Sequence, residues 1–517
     1  MDAFRAWSVA NSCIAVLASW FILVAARTLI KAYRPPLSDL PGPWIAKFTK
    51  LWLLRAINTR SWEKINIELH RQYGPVVRIS PNECSLDDPD AVKIIYRTRD
   101  ELVKVGTTLL DDIYEPADRH QGERYSGWGL PGVEPMIFTQ RDIERHSQRT
   151  KEVSGLYSNS VLHNMEGPVD RVIEALFDRL YEFAERGEVV EISDWLHYFA
   201  FDAIGFGKTF GFLRAGLDIS NVMKTIHGYS RYGALVGVFA EWHPIIFKIM
   251  TALASGKDVG MAYLIKFTHQ TITELHEKGY DCREGEHDIL SSLLAKHQKN
   301  PDVFTMGDVH HHVLPNVVGG AETTGITLSA AVYFLWKNPQ VLAKLRQEVD
   351  ARKSTGKFHD IVTVNDAAGC RYLQAVIKET LRLHPGNGLG LTRLVPKGGL
   401  TLSGHYFPEG AEVNINAYVA HANRTVFGED ADSFRPERWL RDQETLNRME
   451  NYFLTWGKGS RTCLGRNISL MEINKLVPEL VMRFDFEFED PEREWTVHND
   501  WFMKQEDIKV RVKRRKT

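Results

Sequence analysis

Cys463 has the surroundings of a metal ligand rather than of an ordinary buried thiol. It stands in TWGKGSRTCLG, residues 455–465, with three glycines and one arginine. A lone cysteine is by default a small structural hydrophobe. The stretch after this one, LGRNISLMEINKLVPELV, carries Ile468, Leu476, Leu480 and Val481 at helical spacing, so Cys463 lies at or just before a helix N-terminus. The free N–H groups and positive dipole end there lower a thiol's pKa, and Arg461 adds positive charge. Gly457, Gly459 and Gly465 let backbone approach something large and flat without side-chain clash. A thiolate in such a nest suits a metal, or a nucleophilic cysteine enzyme.

A second candidate is GGAETTG, residues 319–325. Paired glycines weaken a helix locally. Thr323 can hydrogen-bond back to a freed carbonyl and open a groove, with Pro315 upstream adding to the distortion. An ordinary helix with a polar kink would read the same way. A third is KETLR, where Glu379 and Arg382 share one helix face at i,i+3. Most such pairs are surface salt bridges of little energetic worth. His310, His311 and His312 invite a metal reading, but adjacent helical residues point about 100° apart and cannot converge on one ion. They are read as solvated or interfacial.

The elements that must position these residues are mostly helical. PVDRVIEALFDRLYEFAERG, residues 168–187, recurs apolar at helical spacing between a proline and a glycine. NPQVLAKLRQEVDAR and YLQAVIKETLRLHP read as amphipathic helices, the second stopped by Pro385. Short β signals occur at 76–79, 189–192, 413–417 and 508–512. The expected fold class is therefore mainly α with small β-sheets, α+β. The apolar stretch 233–254 is broken by Trp242, His243 and Pro244, which argues for core rather than a spanning helix. The basic tail, KVRVKRRKT, reads as solvated.

Composition bounds the class. Of 517 residues 44% are apolar, enough for a large core, and the net charge of -2 implies no nucleic-acid partner. The five cysteines are widely spaced with no CxxC, so neither a disulfide framework nor structural zinc is indicated. Residues 7–26, WSVANSCIAVLASWFILVAA, hold no charge. About 20 residues of helix match the ~30 Å hydrocarbon core of a bilayer. Arg27, Lys31 and Arg34 follow the run, which puts the downstream side in the cytosol. A cleaved signal peptide is the alternative. RPPLSDLPGPW, with four prolines, then reads as a stiff spacer. The organisation expected is an anchor over 1–33, a proline-rich hinge over 34–45 and one large domain over 46–517.

No second soft ligand lies near Cys463 in sequence, so the other donors of a metal site must come from a cofactor. Haem supplies four nitrogens and needs one axial residue. At this point the chain resembles a family: WGKGSRTCLG is similar to the haem-binding loop FxxGxRxCxG of the cytochrome P450 monooxygenases, with Trp456 in place of the phenylalanine. The family's other marks occur in order. KETLR resembles its ExxR pair, FRPERW its meander with Arg438 as third member, and GGAETTG its oxygen-activating helix.

The resemblance implies the cytochrome P450 fold over roughly 34–510, with one N-terminal transmembrane helix, and heme b held by Cys463 as thiolate ligand. It implies Glu322 and Thr323 as an acid–alcohol pair relaying protons to dioxygen. Arg393 and Arg461 would pair with haem propionates, and Trp456, Gly457 and Gly465 would frame the ring. RHSQRTKEVSGLYS, residues 145–158, resembles the helix that reaches a propionate from the other side, which assigns His146 to it; the family's arginine four residues later is Thr150 here, beside Arg149. Trp456 is read as a tolerated aromatic swap, the alternative being that its indole tunes the iron.

By resemblance the partners are dioxygen, an NADPH–cytochrome P450 reductase, cytochrome b5 as a further donor, and the endoplasmic reticulum membrane, with the haem domain facing the cytosol. Lys458 and Arg466 are candidates to dock the reductase. Trp128, Val317, Val318, Leu389 and Leu391 would line a pocket for a hydrophobic small molecule. The motifs are similar to those of filamentous-fungal members such as the pisatin-demethylase-like group, which implies secondary metabolite biosynthesis. The rival readings are a haem-thiolate isomerase or dehydratase, a non-catalytic haem-binding protein, and a cysteine hydrolase.

Overall fold

A computed structural model describes residues 35–98, 102, 128–129, 135–158, 161, 163–204, 209–253, 261–278 and 288–516, with 19, 22, 23, 25, 26, 28–30, 32 and 33 upstream. Its centre is the helix Glu322–Lys337, buried along most of its length. Ile192–Ala203 and Arg466–Arg483 pack on it, and Arg371–Leu383 closes a further side. Arg466–Arg483 is buried from Met471 to Met482, so it is a core helix with no solvent-exposed face over that stretch.

The helix expected at 168–187 spans Glu166–Arg186. It buries Val169, Val172, Ile173, Leu176, Phe177 and Leu180, and Gly187 ends it at φ +64°. That left-handed conformation costs glycine nothing.

Small sheets pin the chain's distant parts together. β1 (Val76–Arg78) and β2 (Glu83–Leu86) are antiparallel; β2 runs parallel to β7 (Glu412–Asn414), and β7 holds β4 (Arg393–Leu394). Val413 therefore lies opposite both Cys84 and Arg393. A second sheet sets β11 (Lys509–Arg514) between β3 (Val189–Glu191) and β8 (Phe484–Phe488). β9 (Thr496–Asp500) and β10 (Phe502–Glu506) form a hairpin, as do β5 (Leu400–Leu402) and β6 (His405–Phe407).

Three expectations change. The strand read at 413–417 ends at Asn414, because the Asn416 side chain accepts from the Tyr418 N–H at 2.9 Å and starts the helix Ala417–His421. The proline-rich segment is no free spacer. Leu37 and Leu40 are buried, the Arg78 guanidinium donates to the carbonyls of Leu37 (2.9 Å) and Pro81 (2.7 Å), and the Arg78 N–H donates to Pro41 O at 2.7 Å. His312 is neither solvated nor interfacial: it is buried, stacked on Phe304 with ring centroids 5.8 Å apart, and burial pushes its pKa down to about 4.

The segment Ile219–Leu253 is apolar and long enough to cross a membrane by composition. Phe239, at φ −124° and ψ 53°, breaks it between the helices Val222–Val236 and His243–Leu253. The segment read at 7–26 lies mainly outside the described residues.

Candidate haem and oxygen site

Cys463 stands two residues before Gly465, the N-cap of Arg466–Arg483, as its sequence position required. The Cys463 N–H donates to Trp456 O at 2.8 Å, closing the loop on itself. Trp456 thus serves the loop through its backbone, which phenylalanine would supply equally. Gly457 and Gly459 take φ +66° and +73°. A Cβ on Gly459 would strike the carbonyl of Tyr96, so this glycine lets the loop approach another stretch of backbone rather than a cofactor. Gly465 has an ordinary φ of −78° and open space where a Cβ would stand, as a face turned to a flat group requires.

The thiol itself corrects an expectation. Burial pushes Cys463 up, and the N–H groups of Gly465 and Arg466 with the Arg466 charge reverse only part of that. Its side chain is solvent-accessible, while the protein around it has interior density; ionisation responds to the latter, because the dielectric that matters extends beyond first contact.

Across from the loop, residues Val317–Ala321 form one π-helical turn following Pro315. The Thr323 hydroxyl donates to Gly319 O at 2.8 Å, the back-bond its sequence position predicted. Gly319 meets nothing within 4 Å of a built Cβ, whereas Gly320 faces Ile204. One side of this turn is therefore open and the other packed. Thr324 joins the long helix to the cysteine helix, donating to Ser469 Oγ at 2.9 Å.

Glu322 does not hydrogen-bond Thr323. Its carboxylate is fully buried and turned to two histidines, with Oε2 at 2.8 Å from His227 Nε2 and 3.7 Å from His197 Nε2. Burial alone would raise its pKa; His227, His197 and Lys504 outweigh burial and hold it below the ordinary carboxylate range.

The basic residues converge on the loop. Arg461 donates to the carbonyls of Gln140 (2.5 Å) and Arg141 (3.5 Å), just before the helix Ile143–Val153 that carries the buried His146. Arg393 is buried, with its guanidinium 5.1 Å from the Tyr96 ring centroid and 3.1 Å from Thr392 O. His146 Nε2 lies 3.4 Å from Thr150 Oγ1. Arg149 pairs instead with Asp308 at 3.0 Å. Of the expected pocket residues, Trp128, Val317 and Leu389 are buried in the main core, with Val318 and Leu391 packed against it. Lys458 donates to the carbonyls of Glu450 and Asn451, at 3.3 and 2.8 Å, which leaves Arg466 as the exposed cation of the two.

Behind the loop, Glu379 holds the frame. Arg382 donates to it through Nε and Nη2 at 2.9 and 2.8 Å, Arg438 through Nε at 2.8 Å, and Trp439 through Nε1 at 2.9 Å. The ExxR pair is buried and has the third member its motif implied.

A planar group bearing a metal and carboxylates fits this donor set. A thiol lies at a helix N-terminus, Arg461 on its loop reaches the segment leading into the helix of His146, Arg393 stands over the Tyr96 ring, and Gly319 and Gly465 present bare faces. Sequence reading missed His197, His227, Tyr96 and Trp501. Tyr96 donates to Leu391 O at 2.9 Å and lies under Arg393, and Trp501 lies 4.4 Å from Trp128 between ring centroids, at φ +86°. These partners are far apart in sequence, and none sits in a motif.

A family model described as cytochrome P450 matches residues 40–512. A pisatin demethylase of Fusarium vanettenii is 34% identical over 94% of this chain and 91% of its own length. The cytochrome P450 monooxygenase cicH of Emericella nidulans is 35% identical over 96% of this chain and 97% of its own. The monooxygenase gsfF of Penicillium aethiopicum is 33% identical over 96% of each chain. The crystal structure of a cytochrome P450, CYP102L1, superposes with a TM-score of 0.69 at 19% identity, covering 89% of this chain and 96% of that one.

Proposed function

Because the chain belongs to the cytochrome P450 monooxygenase family, we propose that it is a membrane-anchored enzyme, fed with electrons by an NADPH-dependent reductase, that oxidises a hydrophobic secondary metabolite. Haem, the family's cofactor, supplies the one-electron chemistry that activates dioxygen. Cys463 is its thiolate ligand in this reading. Arg393, Arg461 and His146 bind its carboxylates by charge and hydrogen bonds. Trp456, Gly457 and Gly465 frame the ring. Gly319 and Thr323 shape the oxygen groove, and Glu322 takes up and passes on the proton that Thr323 helps deliver.

The observation that carries this reading is the Thr323–Gly319 back-bond in a π turn beside a buried acid. An isomerase or a haem carrier has no use for such proton machinery. Support for the anchor comes from the uncharged run at 7–26 and from exposed Ile245, Ile249, Met250 and Leu253 on the helix His243–Leu253. One relative's name, pisatin demethylase, makes pisatin a first compound to try.

The test is to express the full chain with a reductase in microsomes. The expected results are a thiolate-type Soret band in the reduced carbon-monoxide spectrum, lost in Cys463→Ala, and NADPH-dependent oxidation of a lipophilic compound. Turnover without NADPH would replace this reading with the isomerase one.

A further inference from the structure

Glu322 is shut off from water except through histidine. None of its surface is exposed, and Oε1 is buried without a hydrogen-bond partner among the described residues. His227, on the helix Val222–Val236, bonds Oε2 at 2.8 Å and keeps 12% of its side-chain surface accessible. His197, on Ile192–Ala203, keeps only 3%. Its Nδ1 donates to Ser193 O at 2.8 Å, so in the neutral ring the proton is on Nδ1 and Nε2 carries a lone pair. That Nε2 is buried, has no hydrogen-bond partner among the described residues and lies 3.7 Å from Glu322 Oε2. Two lone pairs therefore face each other in a closed space, with a proton missing between them. Burial lowers His197, which keeps it neutral, and Lys504 on β10 and Asp194 supply the remaining charges around the group.

We propose that His227 is the proton donor to Glu322 and that His197 receives the protonated acid. The His227 imidazolium gives its Nε2 proton to the carboxylate Oε2, and the neutral ring regains a proton from water at its accessible edge. The new O–H of Glu322 then turns to His197 Nε2, which accepts it. A half-turn of the carboxyl group carries the same proton to the side now held by Oε1, from which Thr323 is supplied. One proton enters for each one delivered, and no electron moves. The proposal rests on the reading of Glu322 as the proton-holding acid.

Two measurements test it. The first uses full-length chain and reductase in microsomes, with pisatin as probe, comparing wild type, His227→Gln, Glu322→Gln and the double variant. Glutamine keeps a donor toward Glu322 but has no proton to give. Product formed per NADPH should fall about tenfold or more in His227→Gln, with hydrogen peroxide rising, and the double variant should be no worse than Glu322→Gln. The second measurement needs no turnover. Infrared difference spectra against Glu322→Gln should show an ionised Glu322 in the resting wild type and a carboxylic-acid band in His227→Phe. A His227→Gln variant with wild-type coupling overturns the proposal, and so does a Glu322 still ionised in His227→Phe. If the wild type oxidises nothing with NADPH, the monooxygenase reading fails and the infrared result alone decides this one.

Discussion

Glu379 receives hydrogen bonds from Arg382, Arg438 and Trp439 inside a water-free space. Removing Arg438 takes one hydrogen bond from that carboxylate and leaves the carbonyls of Phe427 and Asp430 without the donor it supplies. Arg438→Ala should cost about 3–5 kcal/mol, read as a fall in the thermal midpoint and in the haem retained on purification. Glu472 is the opposite case: it is fully buried and has no basic partner, and burial raises its pKa from 4.5 to about 8. Neither carboxyl oxygen of Glu472 has a hydrogen-bond partner among the described residues, so nothing there offsets the burial of a charge. The sign follows from linkage. A pKa raised on folding contributes stability that is full below 4.5 and lost as pH rises through about 8. Glu472→Gln, neutral at every pH, should match the wild type in acid and exceed its thermal midpoint above pH 8. An equal decline with rising pH in both proteins would refute this.

At the scale of elements, the haem loop is held by close approach of backbone. Gly459 combines φ +73° with carbonyl oxygens of Tyr96 and Arg97 where a Cβ would stand. Neither obstacle is a flexible side chain, so the loop must shift to admit a methyl group. Gly459→Ala should cost about 1–3 kcal/mol by overpacking, with further strain from the positive φ. The check is the thermal midpoint together with the haem-to-protein ratio, both lower than wild type. Gly465→Ala, at φ −78° with open space around it, separates loop strain from cofactor fit. It should leave the apoprotein's thermal midpoint within about 0.5 kcal/mol of wild type while lowering haem content.

For the whole molecule, acid is the weak side. His312 and His384 are pushed down to about 4 and His421 to about 3, each chiefly by burial. His421 shows why charging it is costly: Nδ1 donates to Arg382 O at 2.7 Å while Nε2 accepts from the Leu454 N–H at 2.8 Å. A second ring proton would displace that N–H at the entrance to the haem loop. A depressed pKa contributes stability that is present above the unfolded value of 6.5 and lost as pH falls through 4 and 3. The thermal midpoint should therefore fall between pH 6.5 and 4, and His421→Asn should flatten part of that slope if its variant folds at pH 7. Because His421 links the Arg382 helix to the loop, haem loss should accompany the fall rather than follow it.

What the sequence alone determined was local or carried by motif. Helical spacing set the helix Glu166–Arg186, and glycine and cysteine placement set the haem loop. The paired glycines foretold the back-bond from Thr323. The resemblance of FRPERW to the family's meander motif named Arg438 as the partner of Glu379 across 59 residues. Only the tertiary structure decided where the Glu322 carboxylate points, since its partners lie 95 and 125 residues upstream, on two other helices, one of which packs His197 directly against Gly325. It also decided that the Cys463 thiol is raised rather than lowered. The helix N-terminus is legible in sequence, but desolvation depends on the density of everything folded around it.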